Sequence, residues 1–228
     1  TVVAVAGNFN WRRLEQLLGK YFSAPHKGAA VRSHRWPPQV SGGVLVQWKA
    51  LEQVHLCLGL QGLGAGHKDR YAAHALNGVL GGSVSSRLFQ EVREKRGLVY
   101  SIYSFLSTYS DGGMITVYAG TRAKEVQRVV DLVHRELRKL RTHGIDGKDL
   151  ARVKNQMKGS LMLSLESSHS RMSKLAKDEL SQGCHVSLEQ MTAEIDRVTT
   201  EQVYRVAQDL LDTRCLSITA LGPISPKT

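Results

Sequence analysis

Residues 81–104 read GGSVSSRLFQEVREKRGLVYSIYS, a pattern of one helix followed at once by one strand. Four apolar residues recur at helical spacing and would form a buried stripe: Val84, Leu88, Phe89 and Val92. Good N-cap residues precede them: Ser83, Ser85 and Ser86. Gly97 suits the left-handed position after a helix end, and residues 98–105 have the composition of a strand. The stretch therefore predicts a helix-to-strand turn centred on Gly97.

This turn is expected to bring a guanidinium and a phenol close together. Arg93 would lie on the last helical turn, and Tyr100 on the third residue of the strand. A permanently charged guanidinium and a phenol O–H can together hold a backbone carbonyl or a developing oxyanion. The alternative is a surface arginine beside a sheet tyrosine, and these residues alone favour that alternative.

The run SSRLFQEVREKRGLVYSIYS resembles the C-terminal half of the pitrilysin, insulysin and mitochondrial processing peptidase family of zinc metallopeptidases, the inverzincins. The likeness extends from about Val44 to the end and includes GLVYSIYSFLSTYSDGGMITVYAGT and LESSHSRMSKLAKDEL. In that family an arginine and a tyrosine seven residues later reach from the non-catalytic half into the zinc site of the other half. Arg93 and Tyr100 fit this spacing. The resemblance implies that both bind peptide substrate.

The zinc motif of that family is absent from the sequence. H-x-x-E-H places two zinc-binding histidines one helical turn apart, with a glutamate that activates water, and a distant glutamate completes the site. The nearest echo begins at His74, with Asn77 at the position of the base and Gly78 at that of the second ligand. Glu166 and His169 form a lone i, i+3 pair, predicted to be a helix-surface contact. Neither place is expected to bind metal.

Charge and composition leave one further class of function open. The net charge is +11 and the pI about 9.8, values that a nucleic-acid-binding module would share. The basic residues are spread out, however, and those of the predicted helix 123–143 lie outside its apolar stripe. No nucleic-acid motif is present, and no run approaches the roughly 20 apolar residues of a membrane span. We therefore expect neither nucleic acid nor membrane as a partner.

The three cysteines are too few and too scattered for a disulfide framework or a zinc cluster. Cys57 and Cys215 lie in apolar strand patterns and are expected to be small core residues, with Cys184 elsewhere. Unpaired cysteines indicate a reducing compartment, which favours the cytoplasm. The chain has neither an initiating Met nor a leader pattern, so it is expected to begin inside a longer polypeptide.

Three segments are predicted along the chain. Residues 1–23 contain an apolar strand, Val2 to Ala6, and a helix from Trp11 to Tyr21, interpreted as the end of a preceding catalytic domain that is missing. Residues 24–43 hold three of the five prolines and form a linker. Residues 44–228 form the C-terminal inactive, substrate-binding peptidase domain.

That domain is predicted to be α+β, with helices packed on one face of a mainly antiparallel sheet, as in the mitochondrial processing peptidase-like metallohydrolases. Strands are expected at residues 44–48, 54–60, 98–107, 112–120 and 215–221, the last closing the sheet. Helices are expected at residues 68–80, 84–96, 123–142 and 146–182, with a possible break at Gly159, and after capping boxes at Ser187 and Thr199. The open sheet face, with His55 and Tyr100, would line a chamber.

The sequence thus favours the C-terminal half of a zinc-dependent endopeptidase. This half would bind peptide or protein substrate and complete the active site of an H-x-x-E-H domain. That domain, with the zinc, would lie N-terminal on the same chain or on a homologous subunit in trans, and a homodimer stays open. The alternative is a catalytically inactive structural or partner subunit of a heteromeric processing peptidase. A basic nucleic-acid-binding module is the third and least favoured hypothesis.

Overall fold

The computed structural model describes residues 1–22 and 36–225. Its strands are β1 (Gly43–Trp48), β2 (Val54–Gly62), β3 (Val99–Thr108), β4 (Gly113–Thr121) and β5 (Ser217–Gly222). Its helices are α1 (Trp11–Phe22), α2 (Arg70–Leu80), α3 (Val126–His143), α4 (Gly147–Ser164), α5 (Ser168–Gln182), α6 (Leu188–Arg197) and α7 (Thr200–Leu210). A π-helical turn (Phe89–Glu94) and two 3₁₀ turns (Ala123–Glu125 and Thr213–Cys215) complete the list.

The five strands form one sheet in the order β1-β5-β2-β4-β3. Three of the four pairings are antiparallel, and β1 with β5 is parallel. The mainly antiparallel sheet is therefore confirmed. The last strand does not close the sheet at an edge, however, because β5 inserts between β1 and β2. A parallel neighbour needs a long crossover, and most of the chain lies between these two strands.

The helices pack on one face of the sheet, as predicted. Strand β2 alternates strictly, with one set of side chains buried: Val54, Leu56, Leu58 and Leu60. These side chains share one core with buried residues of α2, α3 and α7, among them Leu76, Val133 and Val203. Helix α7 packs on β2, α2 on β3 and α3 on β4. Burying one face of a sheet against helices is what gives an α+β domain its core.

Several helix ends are set by the caps that the sequence predicts. Asp146 accepts a hydrogen bond from the Asp149 backbone N–H at 2.7 Å and starts α4. Ser187 with Gln190 and Thr199 with Gln202 form complete capping boxes at α6 and α7. Each box satisfies two backbone donors that a helix start leaves free.

The predicted break at Gly159 is wrong. Helix α4 runs through Gly159, and the chain turns at residues 165–167 instead. Ser167 there accepts from the Ser170 backbone N–H and begins α5. A glycine within a helix costs only about 1 kcal/mol, so α4 can continue through it. Ser167 acts as an N-cap and thereby stabilises the first turn of the next helix.

Near the N-terminus, one predicted strand needs correction. Val2–Ala6 forms no strand, since no described segment pairs with it, although the following helix is present as α1. The predicted linker 24–43 lies mostly outside the described residues, and residues 36–42 have no regular secondary structure. Within the described ranges, no helix combines the length and the apolar character needed to traverse a bilayer.

Gly78 and Gly159 lead to opposite stability predictions. A Cβ at Gly78 on α2 would lie 2.6 Å from Cγ1 of buried Val153, whereas one at Gly159 would meet nothing within 4 Å. Gly159→Ala should stabilise the chain by about 0.5 to 1 kcal/mol through helix propensity. Gly78→Ala should cost about 1 kcal/mol net, because overpacking outweighs the same gain. Urea unfolding of both variants measures the difference, and a stabilised Gly78→Ala variant would contradict the α2–α4 contact.

Candidate substrate-binding site

The segment between Arg93 and Tyr100 departs from regular structure three times. The Lys95 backbone N–H donates to the Gln90 carbonyl, five residues back, at 3.0 Å and widens the helix into a π turn. Gly97 has a φ of 60°, which favours glycine because other residues carry a Cβ. A β-bulge then follows in β3 between Val99 and Ser101. Such π turns and bulges recur at functional sites, where they redirect side chains.

Buried apolar side chains on both sides of Gly97 fix this turn to the core. Leu88 and Val92 are fully buried, and Leu98 and Val99 are 8 % and 7 % exposed. Buried Thr121 on β4 donates its hydroxyl to the Leu98 carbonyl at 2.6 Å. The predicted apolar stripe is wrong at one end only, since Val84 is 68 % exposed and helical structure begins at Arg87, after the serines.

Arg93 is exposed on the π turn, with its guanidinium carbon 4.8 Å from the centre of the Phe89 ring. This cation–π contact holds the guanidinium near the ring, and no residue that the structure describes accepts a hydrogen bond from its N–H groups. Its neighbours Lys95 and Arg96 are held differently, because both pair with Glu91, at 2.5 Å and 2.7 Å. Their hydrogen bonds, that of Lys95 first, lower the pKa of Glu91 to about 2. Arg93 forms no ion pair with any residue in the described ranges.

Tyr100 is the extra residue of the β-bulge. Val99 pairs with Thr121 and Ser101 with Gly120, so Tyr100 has no partner opposite it on β4. Its side chain is 80 % exposed, while Val99 beside it is buried. The bulge thus lets the Tyr100 phenol face solvent while the neighbouring Val99 stays in the core. Arg93 and Tyr100, both well within the described chain, make no hydrogen bond to each other.

The face of the sheet opposite the helices carries a row of aromatic side chains. Tyr103 on β3 lies 5.0 Å from Tyr118 on β4, and 6.1 Å from Phe105, measured between ring centres. His55 on β2 is joined to Tyr118 by a 2.7 Å hydrogen bond between Nδ1 and the phenol oxygen. The expected open face with His55 is therefore present, and it continues along β3 towards Tyr100.

The prediction that Cys57 and Cys215 are core residues is wrong. All three cysteines are free and exposed: Cys57, Cys184 and Cys215. Cys57 points to the open face because it falls on the other parity of β2 from Leu56 and Leu58, and Cys215 lies in a 3₁₀ turn before β5. Partial burial raises the pKa of the Cys57 thiol above its ordinary value. A neutral thiol is a poor nucleophile, so this cysteine is not a catalytic candidate.

A cavity of about 660 Å³ opens beside Tyr100 at the end of the sheet. Its charged lining residues are Glu52, Arg96, Arg122, Glu125 and Arg128. Sequence reasoning did not single out any of these residues. Arg122 directly follows the last residue of β4. A cation at the end of the strand that follows the Tyr100 strand is the signal by which the sequence could have indicated it.

The residues that resemble the zinc motif, Asn77 and Gly78, take part in packing. The Asn77 amide donates to the Ser104 carbonyl at 3.3 Å, and its oxygen accepts from the Ser104 hydroxyl at 2.7 Å. Gly78 lies so close to Val153 that a side chain there would have to displace Val153. His74 thus has neither a second ligand nor a base beside it, and these residues do not fit a catalytic zinc.

His74 lines a groove between α2 and α4 of about 390 Å³. Although its side chain keeps solvent access, enclosure by the groove and then the charge of Arg70 lower the pKa of His74 below its ordinary value of about 6.5. The imidazole is therefore neutral at pH 7. Glu166 lies in the turn between α4 and α5, and His169 in the first turn of α5. Nowhere in residues 1–22 and 36–225 do three metal-binding side chains converge.

Comparison with known proteins adds a second line of evidence. The family model described as the peptidase M16 inactive domain matches residues 1–157. An uncharacterized zinc protease of Bacillus subtilis, YmxG, is 44% identical over 209 residues, covering 92% of this chain and 51% of that protein. An uncharacterized zinc protease of Streptomyces coelicolor is 38% identical over 233 residues, covering 99% and 50%.

A solved structure of a peptidase M16 inactive domain, from Pseudomonas fluorescens, superposes with a TM-score of 0.84 at 25% identity, covering 95% of this chain and 52% of that one. The chain spans about half the length of the curated relatives that it matches. The resemblance seen in residues 85–104 is confirmed. The chain belongs to the peptidase M16 inactive-domain family.

Proposed function

We propose that this chain is the non-catalytic half of a zinc-dependent endopeptidase, which binds peptide substrate and completes an active site located elsewhere. The zinc and its H-x-x-E-H motif would be carried by a catalytic domain of the same polypeptide or by a homologous subunit. The names of the relatives and the half-length match support this proposal. The packing of Asn77 and Gly78 supports it too, because it leaves His74 without a second zinc ligand on α2.

The observation that carries the proposal is the exposure of Arg93 and Tyr100 on an anchored turn. Exposed polar groups on a rigid support are expected at a binding site, since an ordered donor loses little entropy when it binds. Arg93 offers up to five N–H donors that never lose their charge, and Tyr100 offers one O–H. Both would donate to the carbonyl oxygen of a bound peptide.

Donation to that oxygen has a chemical consequence. As a nucleophile adds to the carbonyl carbon, negative charge grows on the oxygen, and fixed donors stabilise this charge more than the neutral ground state. When bound to the other half, zinc would supply the Lewis acid and activated water of the reaction. The role of this chain would be to position the peptide and stabilise the developing oxyanion.

The first 22 residues offer support for a preceding domain. Helix α1 buries none of its side chains against the rest of the described chain. Trp11 and Tyr21, on this helix, are 66 % and 68 % exposed. An amphipathic helix is stable in water mainly when its apolar face is covered. We infer that α1 packs against the catalytic domain, to which residues 1–23 would belong.

A reducing environment fits the three free, exposed cysteines. We therefore place the enzyme in the cytoplasm as part of the same proposal. Some of the basic residues are paired within the chain: Lys139 binds Glu136 at 2.7 Å, and Arg205 binds Asp69 at 2.7 Å.

Arg93→Ala and Tyr100→Phe should lower the kcat/KM of the complete enzyme for peptides by on the order of 10²-fold each, as loss of one oxyanion donor does. Because both groups would act on one carbonyl, the double variant should lose less than the product of the two. Zinc content and folding should be unchanged, since both side chains are exposed.

The matched controls are Arg138→Ala and Tyr109→Phe. Arg138 is an exposed arginine of α3, and Tyr109 is 64 % exposed in the β3–β4 turn. Both controls should keep normal turnover. Near-normal turnover of the Arg93 and Tyr100 variants with zinc bound would instead favour the inactive structural or partner subunit.

The isolated chain should bind no stoichiometric zinc and cleave no peptide, because it lacks paired ligands and a general base. Metal analysis of chelator-washed protein, re-equilibrated with one equivalent of zinc and dialysed, should give far less than one zinc per chain. His74→Ala should not change that result. One tightly held zinc per chain, lost in His74→Ala, would overturn the assignment of zinc to the other half.

A further inference from the structure

The cavity beside Tyr100, here called the arginine cavity, is lined by three guanidinium and two carboxylate groups: Arg96, Arg122, Arg128, Glu52 and Glu125. Two of the guanidinium groups have partners. Arg96 pairs with Glu91 at 2.7 Å, and Arg128 with Glu125 at 3.8 Å. Arg122 makes no ion pair or side-chain hydrogen bond with any residue of the described chain. It is the cation in this lining whose charge is left for a ligand.

Arg122 stands on a fixed piece of backbone. Its preceding residue, Thr121, is 3 % exposed, ends β4 and is tied to the Leu98 carbonyl. The Arg122 carbonyl accepts from the Glu125 backbone N–H at 3.0 Å and opens the 3₁₀ turn before α3. The Arg122 side chain is therefore attached to an ordered backbone junction between β4 and the helical turn before α3. When a ligand binds, the backbone at Arg122 is already ordered, and the entropy lost is that of its side chain.

The arginine cavity adjoins the proposed peptide site, because Tyr100 lines it together with Gly97 and Gln53. An extended peptide advances about 3.3 Å per residue, so a peptide whose carbonyl contacts Tyr100 places nearby side chains or its end at this cavity. A carboxylate matches a guanidinium in charge and in fork geometry. Glu52 works against an anion, since its carboxylate lines the same cavity without an ion pair in the described chain.

We propose that the arginine cavity is a carboxylate-binding subsite with Arg122 as its main contact, and that it selects peptides with a negative charge close to the bond held by Arg93 and Tyr100. The inference rests on the proposed peptide-binding function. The carboxylate comes from an acidic side chain or from the C-terminus of the peptide. The negative charge of Glu52 lowers the affinity of the subsite for a carboxylate, because it partly offsets the positive charge of Arg122.

The test is an NMR titration of the full 228-residue chain with alanine-based octapeptides, which detects binding up to millimolar Kd. In the first arm, acetylated and amidated peptides carry one glutamate or one glutamine at the same position, moved along the sequence. In the second arm, an all-alanine peptide has a free or an amidated C-terminus. The first arm reports an acidic side chain and the second a chain end.

At least one arm should show about 5- to 10-fold tighter binding of the charged peptide, as expected of one charge-assisted contact in water. Arg122→Gln should abolish that preference, and Glu52→Gln should increase it. Arg135→Gln, at an exposed arginine of α3 outside the cavity, should leave it unchanged. The preference should shrink in 0.5 M salt, because screening weakens exposed charge pairs.

Equal binding of charged and neutral peptides overturns the subsite and leaves peptide binding intact. Tighter binding of the neutral peptides, or a preference lost in Glu52→Gln rather than in Arg122→Gln, also overturns it. Failure of every peptide to bind at millimolar concentration overturns the subsite together with the proposed function.

Discussion

The burial of four apolar side chains around Gly97 is the constraint on which the site depends. Leu88 and Val92 before the glycine, and Leu98 and Val99 after it, are fixed in the core. Around these anchors the chain forms the π turn, the left-handed Gly97 and the β-bulge. Arg93 lies between the two pairs of anchors and Tyr100 directly follows the second pair, and both are exposed. The buried residues thereby hold the backbone of the turn that carries both hydrogen-bond donors.

Packing also accounts for the residues on α2 that resemble the zinc motif. The positions that echo a metal motif on α2 serve the contact between α2, α4 and β3. Gly78 allows α4 to approach as far as Val153, and Asn77 links the helix to Ser104 of β3. Restoring a ligand at Gly78 would push the two helices apart.

Local patterns predicted much of the fold. The alternation of β2, the caps at Asp146, Ser187 and Thr199, and the turn at Gly97 all depend on residues close in sequence. Features set by distant contacts could not be predicted in the same way. The insertion of β5 beside β1 and the cavity around Arg122 depend on which strands pair. The exposure of Cys57, by contrast, follows from the alternation of β2. Arg93 and Tyr100 were predicted from their spacing and the family resemblance, and their contact with substrate stays a prediction.

Photo-crosslinking tests the central claim most directly. Benzoylphenylalanine would replace Tyr100 in the complete enzyme, under conditions that slow turnover, with a labelled peptide substrate present. The account predicts a crosslink from position 100 to the peptide that excess unlabelled substrate suppresses, and none from the position of Val84, which is 68 % exposed. The absence of a crosslink at position 100, or equal labelling at both positions, would contradict the claim that this turn contacts substrate.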